Sequence, residues 1–320
     1  MSRSIIALEI GGTKLQAALC PQPGVLEAPL RHTVELDKGV PGILDWCNAA
    51  LDQLEETAAA RELNVSAIGV GFGGPIDTAT GAVFTSHQVS GWNGVSLRDA
   101  LSAGGTRRVV VANDSNAAGW AEYVLGSGRG TRQFVYMNIG SGIGGALIID
   151  GKLYDGQGFG AGENGHTYVP DWTSPTPGAC EKLENLCSGW AIERRARQWT
   201  LRPGTRLYDL CGGSASALTC AQLGEAAALG DAQASAELDA VADSVSIALA
   251  NVLALLQPER IALGGGVSLI GAPLLDRIRT RLEARAFGPC RGRYTLVPCE
   301  LEEAVVLHGA ALLAMENGLR

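Results

Sequence analysis

The sequence predicts an α/β protein of two domains with mixed sheets. Three observations carry that expectation. Short β-type runs alternate with helical runs along the chain. A strand, a glycine turn and a second strand open the chain, and the same order returns near its middle. At 320 residues, 46% of them hydrophobic, the chain has apolar material for two cores.

The elements follow in order. "IIALEI" and "KLQAALC" are β-type runs on either side of "GGT", a glycine-turned hairpin. A helix is expected from about Pro41 to Leu63, because Ile43, Cys47, Ala50, Leu51, Leu54 and Ala58 fall at three- and four-residue steps on one face. "AIGVGF" is a strand that runs into "GGPID". "RVVVA" is another, ending at "ND", and a helix from Ser115 towards Gly126 follows. "FVYMNI", "GSGIGG" and "ALIID" then repeat the opening pattern, which reads as an internal duplication. A long helix reaches Leu256 and stops at Pro258. "RIALGGGVS" is strand and glycine turn, and a last apolar helix starts near Ala304.

Bulk properties exclude some functions. A net charge of −8 disfavours wrapping nucleic acid or an anionic membrane. "MSRS" leads directly into the first strand, with no secretory h-region. The apolar run "VSIALANVLALL" is about half of a bilayer span and reads as a buried helix. The eight cysteines are scattered and read as reduced thiols. A cytoplasmic protein with no membrane or nucleic-acid partner is therefore expected.

Chemistry concentrates at the strand ends. "EIGGTK", "NIGSGIGG" and "ALGGGVS" each place small residues directly after a strand, where backbone N–H groups can approach phosphate oxygens. Thr13 and Ser141 add hydroxyls and Lys14 adds a positive charge. None is a Walker A loop or a dinucleotide fingerprint, and any one of them could simply turn a hairpin. Three together suggest a clamp for a nucleoside triphosphate. At "VVVANDSNAAGWAE", Asn113 and Asp114 stand between a strand and a helix. Either can be the N-cap, satisfying open backbone N–H groups. Strand ends are also where α/β proteins bind ligands, and an Asp there can take the proton of an attacking hydroxyl.

With these residues in view, the chain resembles the ROK family of sugar kinases and repressors, relatives of hexokinase in the actin-like ATPase superfamily. The resemblance runs nearly end to end. "EIGGTK" resembles the first phosphate hairpin, with Glu9 where Asp is more usual. "GFGGPID", "GWNGVSL", "VANDSNAAGWAE", "IGSGIGGALIIDGKL", "GAGENGH" and "ALGGGV" match further family segments in order. The resemblance implies a duplicated, ribonuclease H-like two-domain fold with an interdomain cleft. Residues 1–117 would form a small N-terminal domain and 118–303 a larger one, with a helix over 304–320 packing back onto the first. Asp114 is then implied as general base. Gly74, Asn113, Glu163 and His166 are implied to hold the sugar, alongside Asp114. Gly12, Thr13, Lys14, Ser141, Gly142, Gly265 and Gly266 are implied around ATP, with Mg2+ riding on the phosphates. A homodimer is the family default.

One segment departs from the pattern. In most ROK proteins the histidine of the GH pair joins three cysteines in a structural zinc site. Here "LENLCSG" keeps the Leu-Glu and Ser-Gly spacing, so Glu184 falls on the family's sugar-binding glutamate. The three cysteine positions become Pro175, Pro177 and Lys182. Cys180 and Cys187, seven apart, do not supply a zinc set. No metal ligands are expected, and Trp172 with the prolines is expected to hold the loop in zinc's place. A second departure is "HQVSGW", where Gln88 and Val89 replace the usual Asn-Leu and alter the far end of the sugar pocket. His87 reads as a surface residue.

The function expected is ATP-dependent phosphorylation of a hexose hydroxyl, the 6-hydroxyl of glucose or a relative. The alternative is a sugar-sensing regulator of the same family. Against it, only Met1 to Ser4 precede the first strand, where a winged-helix domain would stand. An actin-like ATPase of the assembly or chaperone type is disfavoured by the GENGH and ND segments, which belong to a sugar site.

Overall fold

The computed structural model describes residues 3–86 and 89–316. His87 and Gln88 lie outside the described residues, so the expected change at the pocket's far end finds no structural account. In chain order the elements are β1 (Arg3–Ile10), β2 (Lys14–Gln22), β3 (Val25–Thr33), α1 (Gly39–Ala60), β4 (Asn64–Phe72), α2 (Leu97–Leu101), β5 (Val109–Asn113) and α3 (Asp114–Leu125). Next come β6 (Phe134–Ile139), β7 (Ile143–Ile149), β8 (Lys152–Tyr154), β9 (Tyr168–Pro170), β10 (Cys180–Lys182), α4 (Leu183–Cys187), α5 (Gly189–Ala196), α6 (Arg206–Leu210) and α7 (Cys220–Ala228). The chain closes with α8 (Ala232–Leu256), β11 (Arg260–Gly264), α9 (Ala272–Arg285), β12 (Thr295–Pro298) and α10 (Val305–Glu316).

Two compact units result. The first comprises the chain up to Gly130, Ala146–Gly162, and the chain from Glu300 onward; the second comprises Thr131–Gly145 and Glu163–Cys299. The first unit holds a sheet in the order β3-β2-β1-β4-β5. The strands β1, β2 and β3 pair antiparallel, while β4 and β5 add in parallel. Both faces of β1 are covered, which explains its unbroken apolar run. On one face α1 seats Ile43, Cys47, Leu51 and Leu54 against Ile6, Leu8, Ile10 and Phe72. On the other, Leu307, Ala310, Ala311 and Ala314 of α10 pack on Ile5, Ala7, Ala18 and Ala67. That helix lies very close to the sheet: a Cβ on Gly69 would come 2.0 Å from the Ala310 carbonyl oxygen.

Register decides where the loops emerge. Ile10 pairs with Phe72, and Phe72 pairs with Asn113. The carboxyl ends of β1, β4 and β5 therefore finish side by side, and their loops leave from one edge of the sheet. This is the ligand edge of an open parallel sheet.

The other sheet has the order β12-β11-β6-β7-β8, with β12, β11 and β6 parallel. Helix α8 extends well beyond the apolar run read from Val245, beginning thirteen residues earlier at Ala232. It is capped by Asp231 and ended by Gln257 in the left-handed conformation, before Pro258. By length and composition it could cross a membrane. Yet it buries Leu238, Val241, Val245, Leu249 and Leu253 within the second unit.

Candidate active site

In the first unit the site grows from the aligned strand ends. The β1–β2 turn carries Gly12, Thr13 and Lys14 and closes through the Gly11 amide donating to the Lys14 carbonyl at 3.1 Å. Lys14 Nζ lies 3.6 Å from Glu9 and 3.3 Å from Glu303, which also pairs with Arg31 at 3.2 Å. Burial pushes the Glu9 carboxyl above its ordinary value, with Lys14 and a hydrogen bond from Gln16 opposing. After β4, Gly73 donates its amide to the Ile10 carbonyl at 2.9 Å. It stands beside the turn and beside Asp114: a Cβ there would lie 3.3 Å from Asp114 Oδ2 and 3.5 Å from Gly11 Cα. Gly74 is equally tight, with a Cβ 3.0 Å from the Thr85 carbonyl oxygen.

The choice between Asn113 and Asp114 as cap is resolved. Asn113 Oδ1 accepts from the amides of Ser115 and Asn116 at 2.9 and 3.1 Å, and its Nδ2 donates to the Gly74 carbonyl at 3.2 Å. So Asn113 is the N-cap and also ties the glycine loop after β4 to α3. Asp114 is the first residue of the helix, where the dipole favours a carboxylate. Its Oδ1 accepts from the Ser115 amide at 2.7 Å. Nearby, Thr78 Oγ1 donates to Asp155 Oδ2 at 2.7 Å, and Asp155 Oδ1 accepts from the Gly160 amide at 3.0 Å. This braces the loop after Gly74 against the segment ending at Gly162.

In the second unit, Ser141 and Gly142 form the turn between β6 and β7. Gly265, at φ +83°, packs on the end of β6, where a Cβ would come 2.6 Å from the Ile139 carbonyl carbon. Any other residue is excluded there by conformation and by space. Gly266, next to it, is exposed. Glu163 precedes a single 3-10 turn, Asn164–His166, and both Glu163 and His166 are exposed. Glu184 is partly buried on α4, and its Oε2 accepts from the Ile143 amide at 2.7 Å. The structure thus gathers Gly12–Lys14, Gly74, Asn113 and Asp114 within the first unit. It gathers Ser141, Gly142, Glu184 and Gly265 within the second.

The segment from His166 to Cys187 is held by protein groups. Strands β9 and β10 pair, Tyr168 opposite Lys182 and Pro170 opposite Cys180. Asp171 closes their turn, accepting from the Thr173 amide and hydroxyl at 2.9 and 2.6 Å, which holds its carboxyl below the usual range. The Trp172 ring lies 4.7 Å from the Arg195 guanidinium carbon, a cation–π contact. Arg195 in turn bonds the Leu186 carbonyl and Glu237, both at 2.6 Å. Pro175 and Pro177 stand in the exposed turn. Cys180 is exposed, whereas Cys187 is in the core, its thiol pushed up to about 12 by burial. Among the described residues no group of three or more His, Cys, Asp or Glu is placed to hold a metal ion.

Three residues escaped the sequence reading. Glu122, fully buried, accepts from Ser127 N and Oγ at 2.9 and 2.7 Å and from the Glu300 and Leu301 amides at 3.2 and 2.7 Å. It joins the end of α3 to the chain returning before α10. A glutamate inside an otherwise apolar helix was its signal. Gly73 and Gly165 carried no signal beyond being glycine. Their importance lies in backbone approach, and a Cβ on Gly165 would meet the Ile143 carbonyl oxygen at 2.2 Å.

Comparison with known proteins agrees with this architecture. The ROK family profile matches residues 5–317. A glucokinase of Halalkalibacterium halodurans is 30% identical over 289 residues, 89% of this chain and 86% of that protein. A glucokinase of Streptomyces coelicolor is 30% identical over 316 residues, 97% of each. Among solved structures, a ROK family glucokinase from Streptomyces griseus in complex with glucose and AMPPNP superposes with a TM-score of 0.80 at 30% identity, covering 98% of this chain and 99% of that one. The two sheets, with a glycine turn at the head of each half, are those of the actin-like ATPase fold. Within that class, the chain belongs to the ROK family.

Proposed function

We propose that this protein is an ATP-dependent sugar kinase that transfers the γ-phosphoryl group to a hexose hydroxyl, the 6-hydroxyl of glucose or a closely related hexose. The observation that carries the reading is the placement of Asp114. Its carboxylate stands at the end of β5, beside Gly73 and the β1–β2 turn, while Asn113 serves as the helix cap. The glucokinase relatives support the same reading.

In the reaction Asp114 takes the proton of the attacking hydroxyl. The hydroxyl oxygen bonds to the γ-phosphorus as the bond to the β,γ-bridging oxygen breaks, and ADP leaves with the electron pair. Asn113, Glu163, His166 and Glu184 hold the remaining hydroxyls, and Gly74 lets the ring approach backbone. Gly12, Thr13, Lys14, Ser141, Gly142, Gly265 and Gly266 hold the nucleotide, largely through backbone N–H groups. Magnesium enters with ATP. No cluster of acidic and imidazole ligands is placed to cage it among the described residues, which fits an ion carried by phosphate oxygens and water. Catalysis is then positioning and charge neutralisation.

The protein is read as a cytoplasmic homodimer, which light scattering coupled to gel filtration tests for assembly. The β9–β10 turn and the Trp172–Arg195 contact take the place of zinc; one stoichiometric zinc in the purified protein contradicts this. The decisive experiment for function is a coupled ATP–ADP assay over a hexose panel. Turnover on glucose or a related hexose is expected. Sugar binding with no turnover on any hexose selects a ROK-type sugar-binding regulator instead.

A further inference from the structure

We infer that Glu184 is a positioning residue for the nucleotide: its carboxylate fixes the Ser141–Gly142 turn from below, in addition to any contact it makes with sugar. This rests on the kinase reading and deepens it.

The geometry centres on Ile143, the residue after the turn. Its amide donates to Glu184 Oε2 at 2.7 Å. Its carbonyl oxygen faces Gly165 so closely that a Cβ there would come within 2.2 Å. Two segments therefore grip one residue, α4 from the amide side and the Asn164–His166 turn from the carbonyl side. They are also joined to each other, since the Leu183 amide donates to the Thr167 carbonyl at 2.9 Å. A further staple comes from the Gly189 amide, which donates to the Gly140 carbonyl at 2.7 Å. Gly142 must lack a side chain for this arrangement, because a Cβ would lie 2.6 Å from Glu184 Oε2.

A carboxylate this close to a phosphate-binding turn is electrostatically unfavourable for the ligand. Its use there needs a compensating role, and the hydrogen bond supplies one. With the Ile143 amide engaged by Glu184, the turn's conformation is set before phosphate arrives. Preorganisation of this kind raises affinity by removing the ordering cost from the binding step. The required property is an acceptor at the Glu184 position. The charge is dispensable.

The test is calorimetric binding of AMPPNP with Mg2+ in the absence of sugar, on wild-type protein, Glu184→Ala and Glu184→Gln. Loss of one hydrogen bond to a fixed amide predicts about tenfold weaker binding for Glu184→Ala. Glutamine keeps an acceptor oxygen, so Glu184→Gln should bind within about threefold of wild type, or tighter, as charge repulsion is removed. In steady state, Glu184→Ala should raise KM for ATP by a similar factor. Wild-type binding by Glu184→Ala, with only sugar affinity reduced, overturns the inference. So does a Glu184→Gln protein as weak as Glu184→Ala. If Glu184→Ala does not fold, Gly142→Ala displaces the carboxylate without removing it and must weaken AMPPNP binding; unchanged binding overturns the inference. Wild-type protein that fails to bind AMPPNP at all overturns the kinase reading itself.

Discussion

The β1–β2 hairpin is held by charge, whereas the turn between β6 and β7 is propped through its backbone. In the first, Lys14 pairs with Glu9 in the same hairpin and with Glu303 from the far end of the chain, and Gln16 donates to Glu9 across the strand pair. In the second there is no charged residue between Asn138 and Ile149, and the prop is Glu184, 41 positions away. The two turns hold comparable glycines, yet one is set among ion pairs and the other rests on a hydrogen bond from a helix residue to its backbone. Substitutions near the first should act through charge, and substitutions near the second through shape.

The largest effect expected is on chemistry, and it sets the scale for the rest. Asp114→Asn should lower kcat by about 10²–10⁴ while glucose and ATP affinities stay within a few-fold. Retained turnover would remove Asp114 from the mechanism. Next comes Glu122→Ala in the first unit, which removes the acceptor of the buried Ser127 donors and of the partly buried Leu301 amide. Each buried donor left without a partner costs about 1–3 kcal/mol, so the urea midpoint should fall clearly. An unchanged midpoint would mean water replaces the carboxylate. Gly165→Ala tests the propped turn by shape alone. The new methyl has no room before the Ile143 carbonyl, and overpacking of this kind costs about 1–3 kcal/mol. It should weaken both nucleotide and sugar affinity, and an effect on sugar alone would break the link through Ile143.

The smallest effect is electrostatic and belongs to the β1–β2 hairpin. Burial raises the Glu9 carboxyl above its unfolded value, so the folded state holds that proton more tightly. The stabilisation this gives is present below the unfolded value and lost as pH rises through the folded one. Glu9→Gln should therefore raise Tm at neutral pH and give no gain at pH values below the ordinary carboxylate range. A Tm difference independent of pH would show that Lys14 and Gln16, not burial, govern Glu9.

Much of the first unit was legible because its determinants are local. The face of α1 follows from spacing within one helix, and the Asn-Asp pair after β5 announces a helix start, though not which of the two caps it. The pairing of Ile10 with Phe72 and of Phe72 with Asn113, which brings three strand ends to one edge, joins positions far apart in the chain and was not legible. The edge strand β3 was missed, since "VLEAPLRHT" carries a proline in its middle and polar residues at its end. Contacts between distant positions were illegible in principle. Glu122 meets Leu301 across 179 positions, and Ile143 is gripped by residues from two separate segments. Pro175 and Pro177 were expected to help hold the loop and are exposed, while Trp172 is in contact and was singled out. Its partner Arg195 was not, because nothing in the sequence spacing brings a helix residue over that ring.

Phosphoryl transfer to a hexose can be followed atom by atom. The most direct measurement is to follow γ-labelled ATP with wild-type protein and glucose, and to locate the label. Label is expected on the hexose at its 6-hydroxyl, one per ADP formed, with near-complete loss of transfer in Asp114→Asn. Label released only as inorganic phosphate, or glucose bound while no label moves on any hexose, would contradict it.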